Sequence, residues 1–204
     1  MPINIPNSLT VSRIIMIPVL VLVFYWPFEN HKLVAAGVFG LAAITDWFDG
    51  YLARKLAQMT EFGAFLDPVA DKLMVAVALV LLVEQHASIA FTLAACVIIG
   101  REIVISALRE WMAELGERTS VAVSYIGKVK TTFQMIAIVV LLALPEDTEL
   151  WALGVALTIL YVAAILTLWS MVIYLRAAWK VILERQKKIG EALPDVEERG
   201  LQDP

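Results

Sequence analysis

The chain has 204 residues, 60% of them hydrophobic and 18% charged, a balance far from that of ordinary soluble domains. Its net charge of −4 says little beside the places where the charges fall, and no nucleic-acid partner is expected. A single cysteine, Cys96 in an apolar run, excludes an internal disulfide framework and is expected to be a small buried apolar side chain.

A membrane crossing takes about 20 apolar residues, so this length has room for about six. Residues 1–10 (MPINIPNSLT) lack a basic n-region and a small-residue cleavage site, so they are not expected to be a secretory signal. They read as a short interfacial segment in which Asn7 or Ser8 caps the helix that follows. The first span is expected over 9–26, with Arg13 near its start and Pro18 inside, where proline predicts a kink. After the break 27–32 the second span covers 33–56, and the third covers 62–83 with Pro68 in its first turns, a place where a missing N–H costs little. The polar triplet Glu84-Gln85-His86 precedes a fourth span over 89–111, and residues 113–125 read as a loop. A fifth span over 126–144, the break 145–149, and a sixth span over 150–174 that continues into a basic helix through Lys188 complete the order. The two histidines, His31 and His86, fall in polar breaks without metal-ligand spacing.

The fold class expected is therefore an all-α integral membrane protein. Six transmembrane helices form one domain over 1–190, with a helical extension at its C-terminal end and an acidic, frayed tail over 191–204. Of the 16 Lys and Arg residues, only Lys32 falls in the breaks at 27–32, 84–88 and 145–149. That asymmetry places both termini and the opposite set of loops in the cytoplasm. The basic run 176–188, with Trp179, Val181, Ile182 and Leu183 interleaved, suits either an anionic membrane surface or a solvated helix end.

The stretch from Asp46 to Asp71 carries the chemistry. Asp46 and Asp49 are three residues apart and Asp67 and Asp71 four apart, so on helices each pair shares a face. Ionisable groups within membrane spans are costly and usually functional. Two antiparallel helices joined by the polar stretch 55–60 would aim four carboxylates into one cleft, where self-repulsion is relieved by a hard divalent cation such as Mg²⁺ or Mn²⁺. Two such ions could clamp a phosphoryl transfer. Gly50 and Ala53 thin the helix beside the aspartates and allow backbone to approach a ligand, and Gly63 eases the start of the next helix.

The gapless pattern D-x2-D-G-x2-A-R-x8-G-x3-D-x3-D, from Asp46 to Asp71, resembles the signature of the CDP-alcohol phosphatidyltransferases. The resemblance implies two Mg²⁺ or Mn²⁺ ions on Asp46, Asp49, Asp67 and Asp71. It implies CDP-diacylglycerol bound at Asp46, Asp49, Gly50, Ala53, Arg54 and Gly63, with the acyl chains in the bilayer. It also implies Asp71 as general base, attack on the β-phosphorus with CMP leaving, a homodimer, and a bacterial cytoplasmic (inner) membrane location. Asn7-x-Leu9-Thr10-x-x-Arg13 with Pro18, and the run Gly127 to Gln134 (GKVKTTFQ), resemble the branch of that family that makes phosphatidylglycerophosphate, whose acceptor is sn-glycerol 3-phosphate. Arg101, Arg109 and Lys128, with Thr10 and Arg13 at the mouth, are then expected to bind the acceptor phosphate. For Arg101 the structural alternative is a self-satisfied pair with Glu102, and for the basic residues at large it is positive-inside anchoring.

Other acceptors fit the same chemistry: serine, an inositol phosphate, or phosphatidylglycerol. Uncharged serine would not need the cations around Arg101. An aspartate-rich prenyltransferase would leave the Gly-x-x-Ala-Arg element without a purpose. A cation transporter would carry polar residues towards both faces, and here the outer halves of the spans are almost bare of them.

Overall fold

The computed structural model describes residues 5–56, 61–116, 125–145 and 148–192; within its helices no side chain is described at 5–7, 47–56, 61, 62, 64, 65, 125–129, 188, 189, 191 and 192. The described residues form six α-helices and no strand: α1 (Ile5–Tyr25), α2 (His31–Leu56), α3 (Glu61–His86), α4 (Ile89–Glu114), α5 (Tyr125–Ala143) and α6 (Leu150–Ala192). α1 packs on α2 and α3, α4 and α5 both pack on α6, and α2 against α5 and α3 against α4 join the two groups. One apolar core runs through the bundle. Leu20, Phe39, Leu79, Phe91, Ile138 and Leu160, one from each helix, are all but fully buried in it. A second, smaller cluster joins Ile105 and Met112 of α4 to Tyr174 and Ala178 of α6.

The surface is inverted relative to a soluble protein. Leu22, Leu93, Ile103, Ile165 and Trp169 are each more than 60% exposed, whereas Arg13 and Lys130 are each 1% exposed. Large apolar side chains outside and cations inside is the arrangement that an acyl-chain environment selects. Among the described residues, three helices are long and apolar enough to cross a membrane, over Ser8–Tyr25, Ile89–Glu114 and Leu150–Lys187, and Lys130–Ala143 forms a shorter apolar helix. The protein is an all-helical membrane protein.

Several local expectations change. α1 already begins at Ile5, so Asn7 and Ser8 lie inside the helix and do not cap it. Pro68 falls in the first turns of α3 as expected, but as its eighth residue it still removes one rung of the hydrogen-bond ladder. Cys96 is exposed, not buried; where the medium outside is itself apolar, an apolar side chain gains little by turning inward. α4 continues to Glu114 and closes on Gly116 at φ +83°, the left-handed conformation that glycine supplies at helix ends. Residues 117–124, within the expected loop, and 193–204, within the expected tail, lie outside the described residues.

At the end of the bundle away from the aspartates, Asn30 turns the chain at φ 64°, which asparagine tolerates. The Tyr25 hydroxyl donates to Glu84, tying α1 to α3. The His86 ring lies 5.2 Å from that of Phe91. Burial, with the nearby Lys32 charge, holds the His86 pKa below its ordinary value.

With so much apolar surface left outside, packing inside the bundle determines stability. Leu79→Ala, at a fully buried site, is expected to destabilise by roughly 2–5 kcal/mol, whereas Val80→Ala, at its 60% exposed neighbour, changes stability by less than about 0.5 kcal/mol. Thermal unfolding in detergent micelles measures both; equal losses would contradict this assignment of inside and outside.

Candidate active site

The carboxylates sit where α1, α2 and α3 meet. Asp46 is reached by Arg13 from α1, with Nη1 2.9 Å from Oδ1. Arg13 is 1% exposed and Asp46 42%, so a sequestered cation holds a carboxylate that stays open on its other side. Asp67 accepts a hydrogen bond from the Thr10 hydroxyl, one turn earlier on α1. Arg13 and Thr10, on successive turns of α1, hold Asp46 and Asp67, and Asp71 lines one cavity with Arg13. Three of the four predicted carboxylates therefore lie around these two side chains of α1. Asp49, Gly50, Ala53 and Arg54 follow on the same helix, α2, but their side chains lie outside the described residues. Gly63 is buried on α3.

Thr10 and Arg13, expected with the acceptor-phosphate group, contact Asp67 and Asp46. Arg13 also borders a cavity of about 10 Å³ shared with Phe39, Asp71, Met74 and Met135.

A second cluster lies beyond Asp71. Arg101 of α4 donates from Nη1 to Glu102 Oε1 at 2.7 Å and from Nη2 to Ser170 Oγ of α6 at 3.4 Å. Lys130 of α5 stands 3.6 Å from the same Glu102 oxygen. Arg101 and Arg109 both lie against the Tyr174 ring of α6, at 5.8 and 5.5 Å from its centroid, within cation–π range. The eight-residue spacing of the two arginines on α4 brings them to one ring, as two helical turns should. Lys128 lies one turn before Thr131 and Thr132 on α5, and its side chain is outside the described residues.

Two cavities open here, of about 150 and 530 Å³, both lined by Asp71, Lys72, Arg101, Glu102 and Arg109. Asp71 is the hinge of the site, because it belongs to the carboxylate group and borders every one of these cavities. An anion with a hydroxyl could sit among the cations while the hydroxyl meets a carboxylate.

Sequence reasoning did not single out Tyr174 or Ser170, having read α6 as an apolar span followed by a basic helix. A signal was present: Thr167, Ser170 and Tyr174 stand three and four residues apart and are all buried. Polar side chains at that spacing on an apolar helix mark an inward face. Lys72, beside the catalytic-base candidate, also went unremarked.

The family model for CDP-alcohol phosphatidyltransferases matches residues 3–182. The chain belongs to that family. A relative from Sodalis glossinidius (strain morsitans), named CDP-diacylglycerol–glycerol-3-phosphate 3-phosphatidyltransferase, is 60% identical over 178 residues, covering 87% of this chain and 96% of its own length. Relatives of the same name from Salmonella choleraesuis (strain SC-B67) and Yersinia enterocolitica serotype O:8 are each 57% identical, covering 91% and 90% of this chain and all of their own. Membership makes the chain an enzyme of phosphatidyl transfer, and its relatives are bacterial.

The Arg13–Asp46 pair is expected to couple energetically. In a cycle of Arg13→Met, Asp46→Asn and the double variant, removing the cation leaves a crowded carboxylate unopposed, and the interaction comes to roughly 1–3 kcal/mol. Unfolding in detergent reports it; additive losses would mean that the pair holds nothing.

Proposed function

We propose that the chain transfers the phosphatidyl group from CDP-diacylglycerol to sn-glycerol 3-phosphate, giving phosphatidylglycerophosphate and CMP. The observation that carries this is the meeting, at Asp71, of a carboxylate group on α2 and α3 with the cation-lined cavities of α4, α5 and α6. The names of the full-length relatives support the same donor and acceptor.

The donor set fits a hard divalent cation, since it offers carboxylate oxygens that repel one another. Among the described residues no three carboxylate, His or Cys groups converge into a cage; the fourth carboxylate, Asp49, is not among the described side chains. Asp46, Asp49, Asp67 and Asp71 would hold two Mg²⁺ or Mn²⁺ ions, which when bound neutralise the pyrophosphate and the leaving CMP.

The chain's own residues do the rest. Arg13 and Thr10 hold Asp46 and Asp67 in place. The Gly50–Ala53 face of α2 admits the cytidine, with Arg54 and Gly63 bordering it. Arg101, Arg109 and Lys128, joined by Lys130, seat the acceptor phosphate through charge-assisted hydrogen bonds. Asp71 takes the proton from the acceptor hydroxyl. The freed oxygen forms a bond to the β-phosphorus, and the bond from that phosphorus to the CMP oxygen breaks.

The architecture that suits this reaction is a six-span domain over 1–190 in a bacterial inner membrane. The site and both termini face the cytoplasm, where the soluble acceptor is found. The outward apolar side chains of α2 and α3, Leu41, Ile44, Leu73 and Val80 among them, support counting these helices as spans. The basic end of α6 lies at the membrane surface, with the tail 191–204 in the cytoplasm. A homodimer rests on the family resemblance alone.

Detergent-purified protein given CDP-diacylglycerol, Mg²⁺ and glycerol 3-phosphate is expected to release CMP. Chelation should abolish the release and added Mg²⁺ restore it. Asp71→Asn should lose at least about 100-fold in kcat while keeping its unfolding temperature. Turnover retained in that variant would remove the base from Asp71. Release with serine, inositol phosphate or phosphatidylglycerol in place of glycerol 3-phosphate would overturn the acceptor.

A further inference from the structure

Besides Asp71, one carboxylate borders both cation-lined cavities, and phosphate binding does not require it. Glu102 stands between Arg101 and Lys130, 27% exposed, and borders both cavities together with Asp71. A carboxylate in that position repels an incoming phosphate, so its presence calls for another purpose. Both cations engage the same oxygen, Oε1, at 2.7 and 3.6 Å. Neither engages Oε2. Glu102 and Asp71 line the same two cavities, so one ligand can meet both carboxylates.

The acceptor proposed above has three polar parts. Its phosphate offers acceptors and suits the cations. The hydroxyl that attacks suits Asp71. The hydroxyl on the adjacent carbon is a donor, and in a pocket lined by cations it needs an acceptor or it forfeits the hydrogen bond it had in water. An ionised carboxylate accepts only, and Glu102 supplies one beside Asp71.

We propose that Glu102 is a specificity-determining residue: its Oε2 accepts the hydrogen bond of the hydroxyl vicinal to the one that Asp71 deprotonates, so that the site reads a vicinal diol carrying a phosphate. This rests on the acceptor reading given above. Arg101 and Lys130 hold Oε1 and fix the rotamer, which leaves the second oxygen pre-set for the ligand. A site built to bond a substrate hydroxyl discriminates against the analogue that lacks it far more sharply than an apolar pocket discriminates by size.

The test compares glycerol 3-phosphate with 3-hydroxypropyl phosphate, which lacks only the middle hydroxyl, as acceptors for the purified full chain with CDP-diacylglycerol and Mg²⁺. The wild-type protein is expected to prefer glycerol 3-phosphate by about 10- to 100-fold in kcat/KM. In Glu102→Met, similar in length but unable to accept, the preference should shrink to within about threefold, with the KM for CDP-diacylglycerol unchanged. If Glu102 were only a counter-ion to Arg101 and Lys130, both acceptors would weaken together and the preference would survive; that result overturns the proposal. Equal use of the two acceptors by the wild type overturns it without reference to any variant. Wild-type protein that releases CMP with a different acceptor and not with glycerol 3-phosphate would overturn the underlying acceptor reading itself.

Discussion

A charge in an apolar medium is costly unless another group answers it, and that constraint arranges the whole molecule. Apolar side chains can face outward at little cost, because acyl chains resemble them. Charged ones cannot. Arg13 and Lys130 are therefore among the most buried large side chains of the described residues, and Arg13, Asp46, Arg101, Glu102 and Lys130 collect around Asp71. The site is the place where the bundle can tolerate its charges, and the partners that neutralise them also fix their positions.

The site divides along the two helix groups. On one side α1 presses Arg13 and Thr10 against the carboxylates of α2 and α3. On the other, α6 offers Ser170 and the Tyr174 ring to the arginines of α4, and Glu102 draws Arg101 and Lys130 together across α4 and α5. Each half stabilises its own charges with short-range contacts, and Asp71 faces both. That arrangement suits a transfer between two anionic substrates: each is neutralised by its own group, and the reacting hydroxyl is the only part that must cross.

Much of this could be read in the sequence, for a physical reason. Helix order follows from apolar runs and their polar breaks, and the four-aspartate pattern is dense enough to stand out from any background. What periodicity could not supply was partnership between distant segments. Nothing local to Arg13 says that it meets Asp46, since a cation near a span start serves snorkelling, ion pairing and ligand binding alike. Cys96 is apolar yet exposed, because apolarity does not imply burial where the surroundings are apolar too. Asn7 and Ser8 are good caps in principle, but α1 extends past them. The Thr167, Ser170 and Tyr174 stripe was legible and passed over, hidden by the strength of the apolar signal around it.

α6 shows why the acceptor half can be tuned independently. It is one helix of 43 residues, roughly 65 Å at 1.5 Å per residue, longer than a bilayer crossing requires. Its first turns belong to the main apolar core through Ala156 and Leu160, and its later ones form the separate cluster of Tyr174 and Ala178 with Ile105 and Met112. Arg101 and Arg109 rest on that second cluster through Tyr174. The carboxylates of α2 and α3 rest on α1 and on the first. A change at Tyr174, Ser170 or Glu102 therefore alters how the arginines are held without touching the packing that sets the aspartates. A fold built this way can vary the surroundings of its arginines while keeping its aspartates, because Tyr174 supports the former and α1 the latter, and Asp71 borders the cavities of both.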